Sequence, residues 1–279
     1  MTLRNELRDV LDENDLRLIP TAFDIIGSKQ KAVAIIEVPG ALFGKKCVIA
    51  EALMRKHKNV KSVLNKLSAR KGIFRTRDYE VIGGSPDTEV IHVESGCRFL
   101  LDPQNCYFSQ RESTERARLA SEVKKGETVM VFFSGVGPFP IILSKKSGAS
   151  RIIGIEINDR AVFYARQNVA LNKTKNVETI FGDAQNEALQ FYGKCDRVVM
   201  PLPEKSVEYI ENAVKCLKPR GIVHLYCFVA EKEVNKRKEE LVRKIKSMGF
   251  HASIKHARKV LPYGPRIWKM RFDIIIKKR

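Results

Sequence analysis

Three features of the sequence predict an α/β fold built in two parts. From about residue 115 onward, β-branched apolar runs alternate with amphipathic helical stretches, the pattern of a parallel sheet with right-handed crossovers. Before that point, short strands follow one another through glycine turns around one basic helix, which predicts a smaller α+β portion. The run "VMVFFSGVGPFPIIL" (Val129 to Leu143) is broken by two closely spaced glycines, which places a strand–turn–helix corner early in the second part.

The elements follow in order. Leu3, Leu7, Val10 and Leu11 stand at helical spacing, so residues 1–18 read as an N-terminal helix ended by Pro20. "FDIIGSKQKAVAIIEV" reads as strand, turn, strand, with Gly27-Ser28 at the turn. "KKCVIAEALMRKHKNVKSVLNK" reads as one helix, with Val48, Ile49, Leu53 and Met54 inward. "GIFRTRDYEVIGG" and "TEVIHVESGCRFLLD" read as further strands. These make a domain over residues 19–105, followed by a second domain over residues 106–279. The latter runs through helix "TERARLASEVK", strand "TVMVFF", helix "PFPIILSKKS", strand "RIIGIEI", helix "DRAVFYARQNVALNK", strand "VETIFG" and strand "CDRVVMPLP". Helix "KSVEYIENAVKCLK", strand "GIVHLYCFV" and a long charged helix follow. The last two strands imply an antiparallel addition at one sheet edge.

Bulk properties narrow the function. The 279 residues suffice for one large or two modest cores. No apolar run reaches the ~18 residues that span a bilayer, and "MTLRNELRDV" lacks an apolar signal core, so a cytoplasmic protein is expected. The six cysteines are scattered without a CxxC pair and the five histidines lack ligand spacing; no metal site is expected. The formal charge of +19, from 51 basic and 32 acidic residues, calls for a polyanionic partner. Nucleic acid suits it better than a membrane, because no basic helix carries a broad apolar face. A basic solvated surface without a partner is the alternative.

A strand, a glycine turn and a helix form a nucleotide site in doubly wound folds. Gly135 and Gly137 would let the backbone approach a ligand, although Pro140 stands where a dinucleotide fingerprint has its third glycine. Taken alone, the Gly-x-Gly pair serves equally as a tight turn. Glu156 ends the next strand, nineteen residues after Gly137, where a carboxylate can accept from both ribose hydroxyls. Asp183 and Ala184 follow the third strand, within reach of an adenine amino group. The ordered set, with the terminal strand pair, suits S-adenosylmethionine in a class I (Rossmann-like) methyltransferase fold. Cofactor contacts are therefore expected from Gly135, Val136, Gly137, Pro138, Phe139, Glu156, Ile157, Asp183 and Ala184.

The blocks "SVLNKLSARKGIFRTRDYEVIGG", "YFSQRESTERARLA", "FFSGVGPFPI", "IIGIEIN" and "DRVVMPLP" carry a further signal. Through them the chain resembles the archaeal and eukaryotic type of tRNA (guanine-37-N1)-methyltransferase, from about residue 20 to the C-terminus. The resemblance implies methyl transfer to N1 of a guanine beside the anticodon, with residues 19–105 binding the anticodon stem-loop of tRNA; a monomer is expected. It places a general base at Glu115, a cation for the charge developing at O6 at Arg75 (or Arg77, two residues on), and Tyr107 near the guanine. Arg111 and Arg118 would hold the cofactor or a nearby phosphate. Two positions depart from the family pattern. Val131 stands where an acid precedes the glycine turn, and Pro201-Leu202-Pro203 stands where an asparagine opens the motif after the fourth strand. Pro201 is then expected to shape the guanine pocket as a rigid backbone lip. Residues 1–18 are too short for the N-terminal domain that longer members carry. The alternatives are a wybutosine-pathway aminocarboxypropyltransferase on the same scaffold and a non-catalytic RNA-binding protein.

Overall fold

A computed structural model describes residues 2–278 of the chain. They divide into two compact units, Met1–Phe108 and Ser109–Arg279.

The N-terminal unit begins with two short helices, α1 (Leu3–Glu6) and α2 (Glu13–Leu18), where the leucine spacing predicts one. The break has a local cause. The Asp12 carboxylate accepts from the Asp15 backbone N–H at 2.9 Å, so it caps a new helix rather than continuing the old one. A four-stranded sheet follows in the order β1 (Asp24–Gly27), β2 (Ala32–Ile36), β3 (Val60–Lys66), β4 (Tyr79–Gly84). β2 and β3 are parallel and joined through α3 (Lys46–Lys56). The long helix expected from Lys45 to Lys66 is thus half helix and half strand. Val60 and Val63 are buried between β2 and β4, and that two-sided pairing overrides the helical spacing of the segment. Nor is "GIFRTR" a strand. Lys71 bridges Thr76 and closes a turn, with Arg75 at φ 54°. β5 (Val90–Glu94) and β6 (Cys97–Leu101) form a hairpin as expected, through Ser95 and Gly96, both at positive φ.

The C-terminal unit opens with α4 (Ser113–Glu122) and then alternates β7 (Thr128–Phe132), α5 (Pro138–Lys146), β8 (Arg151–Glu156), α6 (Asp159–Leu171) and β9 (Val177–Phe181). It continues with α7 (Ala184–Glu187), β10 (Cys195–Met200), α8 (Ile210–Cys216) and β11 (Leu217–Ala230). α9 (Val234–Ser247), β12 (Phe250–Gly264) and β13 (Ile267–Lys278) complete it. The sheet order is β12-β13-β11-β10-β7-β8-β9. The five strands from β11 to β9 are parallel, and β13 runs antiparallel to both its neighbours. This is the Rossmann-like sheet with an antiparallel edge that the sequence predicts. Strand order reverses at β7, so the crevice at its carboxyl end is the topological switch point where such sheets bind ligands.

The two faces of the sheet differ at β11 and β13. One face buries Val223, Leu225, Phe272 and Ile274 in an apolar cluster with Leu241 and Ile245 of α9. The other carries His224, Tyr226, Arg271 and Asp273, all buried, beneath the acids of α4. Phe272→Ala should therefore lower the stability of the C-terminal unit by about 3–5 kcal/mol, the usual cost of an emptied aromatic site. Urea unfolding followed by circular dichroism measures it.

Candidate cofactor site and its buried charge network

The glycine turn follows β7 directly. Gly135 and Gly137 have φ of 57° and 87°, and Phe133 adopts φ 55° without being glycine. A side chain at Gly137 would be strained by that φ and would press the Ile141 methyl at 3.3 Å. What holds the turn open is Glu156, at the end of β8. Its Oε2 accepts from the Gly135 N–H at 2.7 Å and its Oε1 accepts from the Asn158 N–H at 2.9 Å. Burial pushes the Glu156 carboxyl above its ordinary range, and backbone N–H donors from Asn158, Gly135 and Ile157 oppose the rise. A carboxylate offers about four acceptor sites. Capacity therefore remains for a ligand hydroxyl at the turn.

Asp183 follows β9. Its Oδ1 caps α7 through the Gln185 N–H at 2.8 Å, and its Oδ2 receives the Tyr209 hydroxyl at 3.3 Å. Burial first, and Asp183 second, push the Tyr209 phenol up to about 12. Tyr209 also meets the Phe133 ring edge-on at 4.9 Å. The structure thus joins the turns after β7 and β9 through Phe133, which lies in the glycine-turn block, and Tyr209, which the motif pattern does not single out. Pro201 and Leu202 follow β10. The buried Ser206 hydroxyl donates to the Met200 carbonyl at 2.7 Å and lies 2.6 Å from the Leu202 carbonyl, so this segment is stapled from behind. The same staple explains why α8 begins at Ile210 rather than near Lys205. Val131 lies wholly inside the sheet, paired with Gly154 and Val199.

Glu115 is 3% exposed and fully engaged. Its Oε1 accepts from the Tyr226 hydroxyl and from Arg271 Nη1, both at 2.8 Å, while its Oε2 accepts from Arg118 at 3.1 Å. Arg271 is the hub. It also reaches Glu122 at 2.5 Å and Asp273 at 2.8 Å. Asp273 in turn holds His224 Nδ1 at 2.6 Å, and His224 Nε2 lies 2.5 Å from Arg197 Nη1. A guanidinium can only donate, so Nε2 accepts and the proton of a neutral His224 sits on Nδ1, pointing at Asp273. Burial drives the His224 pKa down, in keeping with that neutral ring. Asp273 is also lowered: burial works against its charge, and His224 and Arg271 outweigh it. Arg197 closes the chain with a two-pronged bond to Glu127 at 2.8 and 3.0 Å.

The remaining predicted residues fall as follows. Arg111 is exposed on the turn before α4, and Arg118 is spent on Glu115. Arg116 is the buried arginine of that block; it donates to the Ser109 carbonyl at 2.9 Å and lies over the Phe139 ring of α5 at 5.9 Å. Val136 is buried and its carbonyl accepts from Asn168 of α6 at 3.0 Å. Ala184 is buried; Ile157 and Pro138 are half-buried. Arg75 and Tyr107 belong to the N-terminal unit, where Arg75 lies 5.2 Å from the Tyr107 ring centre. Arg70, which the motif pattern does not mark, lies closer, at 4.1 Å. Arg77 is half-buried in the same segment.

A doubly wound sheet with a carboxylate-locked glycine turn at its switch point defines a nucleotide-type cofactor protein. The chain belongs to the TRM5/TYW2 methyltransferase family, whose methyltransferase domain matches residues 90–254; a TYW2 N-terminal domain matches residues 3–88. It is 38% identical over 258 residues to tRNA (guanine(37)-N(1))-methyltransferase Trm5b of Pyrococcus abyssi, covering 92% of this chain and 75% of that one. A crystal structure of wild-type Trm5b from the same organism matches with a TM-score of 0.85 over 96% of this chain and 79% of that one, at 37% identity. It is 33% identical over 219 residues to the tRNA(Phe) (4-demethylwyosine(37)-C(7)) aminocarboxypropyltransferase of Methanocaldococcus jannaschii, covering 78% and 87%. The structure of Pyrococcus horikoshii TYW2 in complex with MeSAdo matches with a TM-score of 0.84 at 27% identity, covering 99% and 98%.

Two outcomes follow from the network. Arg271→Ala leaves Glu115, Glu122 and Asp273 without their shared cation, and should cost about 3–5 kcal/mol in denaturant unfolding. The pH dependence has a definite sign. Below the ordinary histidine value of 6.5 the unfolded chain gains a proton that buried His224 refuses, so stability falls as pH drops through that point. At lower pH the loss continues as Asp273, depressed in the fold, is protonated. Unfolding midpoints across pH should show a larger first step in the native chain than in His224→Asn, in which His57, also lowered by burial, leaves a smaller one.

Proposed function

We propose that this chain transfers a methyl group from S-adenosylmethionine to N1 of guanosine 37 in tRNA. The observation that carries the reading is the glycine turn held by Glu156 at the switch point, in a chain that shares 38% identity over 92% of its length with an enzyme of that name.

The residues present fit the cofactor. The backbone from Gly135 to Phe139 would receive it, Glu156 would accept from its ribose hydroxyls, and Asp183 and Ala184 would face its adenine. When bound, the cofactor supplies a methyl group activated by a positive sulfur. The chain's own task is to prepare the guanine. N1 carries a proton at neutral pH and must lose it, while negative charge grows on O6. Glu115 takes the proton. Its Oε1 already receives two buried donors, whereas Oε2 receives one, from the partly exposed Arg118. Oε2 is therefore the receiving atom once Arg118 turns away. Arg75 balances O6, and Tyr107 packs near the guanine; both assignments follow the family's pattern. Pro201, stapled through Ser206, shapes the pocket with its backbone. The N-terminal unit and the net charge of +19 serve to grip the anticodon stem-loop.

The aminocarboxypropyl reading stays in view because Val131 occupies the acid's place before the turn, and that acid would orient the methionine end of the cofactor. Mass analysis of nucleosides from tRNA incubated with the protein and S-adenosylmethionine separates the two. Methylation adds ~14 Da and aminocarboxypropylation ~101 Da, from the cofactor's chemistry. Methylguanosine is the expected product. Glu115→Gln and Arg75→Ala should each slow its formation by ~10²-fold or more, with cofactor binding retained. Full activity in either variant would remove that residue from its role.

A further inference from the structure

We propose that a second cleft in the C-terminal unit binds a small phosphate-bearing anion, at the end of the sheet opposite the glycine turn. The cleft, of about 760 Å³, opens where β7, β10 and β11 begin: Glu127, Asp196 and Arg220 stand on its wall. The glycine turn follows the carboxyl end of β7, five residues of strand away, or ~17 Å.

Charge identifies the ligand. Four acids line the cleft, and each already has a cation. Glu127 is held by Arg197, Asp196 by Lys218, and Glu122 and Asp273 share Arg271. Arg258 adds a second charge to that last pair, 3.9 Å from Glu122 and 3.8 Å from Asp273. The Arg258 Nε is buried and makes no hydrogen bond. The other cations of the wall, Lys124, Arg220 and Lys255, are exposed, and among the described residues none of them enters an ion pair. The acids are spent and three positive charges are not. Such a wall favours a multiply charged anion, whose oxygens accept charge-assisted bonds from several donors at once.

The same floor brings Glu122, His224 and Asp273 within 4.8 Å of one another, a spacing that could hold a metal ion. The hydrogen bonds argue otherwise. Both ring nitrogens of His224 are taken, by Asp273 and Arg197, and Arg271 sits against both carboxylates. A cation would have to displace a guanidinium already in place.

RNA phosphate shares the chemistry; because the cleft opens at the end of the sheet opposite the glycine turn, the free anion is the assigned ligand. The test is calorimetric titration of the full chain with inorganic pyrophosphate in phosphate-free, low-salt buffer. One saturable site is expected, unchanged by saturating S-adenosylhomocysteine. Arg220→Ala with Lys255→Ala should weaken it by about tenfold or more, while methyl transfer stays at the native rate. Both residues are exposed, so folding is preserved. Absence of saturation below ~10 mM, or equal affinity in the double variant, overturns the proposal. Displacement of pyrophosphate by an anticodon stem-loop RNA overturns it too, by giving the cleft to the RNA backbone.

Discussion

Arg271 is the constraint on which the C-terminal unit depends. It lies in the antiparallel strand added to a parallel sheet, is completely buried, and serves three carboxylates from two elements. A lone guanidinium in that place would be untenable; burial opposes its charge, and the carboxylates of Glu115, Glu122 and Asp273 overcome that opposition. The reverse is equally true of the acids. Helix α4 could not lay Glu115 and Glu122 on the sheet without a cation beneath them. Lys269 repeats the device one step along β13, holding Glu112 at 2.8 Å. The antiparallel strand β13 thus also positions the helix that carries the candidate base. Side-chain direction makes this possible, because alternate residues of β13 face opposite ways: Phe272 and Ile274 feed the apolar core, and Arg271 and Asp273 face α4.

The two ends of the sheet then do different work. At the carboxyl ends, the chain turns back sharply after β7, β9 and β10, and each turn is tied by a short polar bond: Gly135 to Glu156, Tyr209 to Asp183, Ser206 to the Met200 carbonyl. Backbone groups are presented to a ligand there with little left to reorganise. At the amino ends, the same parallel strands begin among ion pairs that hold Glu127, Asp196, Glu122 and Asp273, and among the described residues Lys124, Arg220 and Lys255 enter none. The charge network runs between these regions from Glu127 through Arg197, His224, Asp273 and Arg271 to Glu115. Its neutral histidine matters to that continuity, since a single tautomer fixes the direction of its bonds to Asp273 and Arg197.

The departures from the family pattern acquire a physical meaning in this setting. Val131 is fully buried between Gly154 and Val199, so the sheet interior at that point is apolar. Pro201 removes a side-chain amide, and the Ser206 hydroxyl stiffens the segment it leaves. Loss of a polar side chain and gain of a tied backbone occur within six residues.

Much of the fold was legible in the residues themselves. The alternation of apolar strands and amphipathic helices, the glycine corner and the acid after β8 are local patterns, and local stereochemistry makes them readable: period two for strands, 3.6 for helices, positive φ at glycine. Where pairing decided the matter, the local pattern misled. Val60 to Lys66 has the spacing of a helix and lies as a strand between two others; Arg75 alternates like a strand residue and sits at a turn. Of the site, Gly135, Glu156 and Asp183 could be named from order and spacing. Their partners could not. Arg271 and Glu115 are 156 residues apart, Ser206 and Tyr209 carry no motif, and nothing in the local sequence gave Arg70 or His224 a role. Buried charges find their counterions across the fold, after the strands have paired and the helices have packed. Sequence by itself determined most of the elements and the corner where a ligand can sit; only tertiary structure decided which strands pair and which distant side chains meet as buried ion pairs, because those contacts form after the strands have paired and the helices have packed.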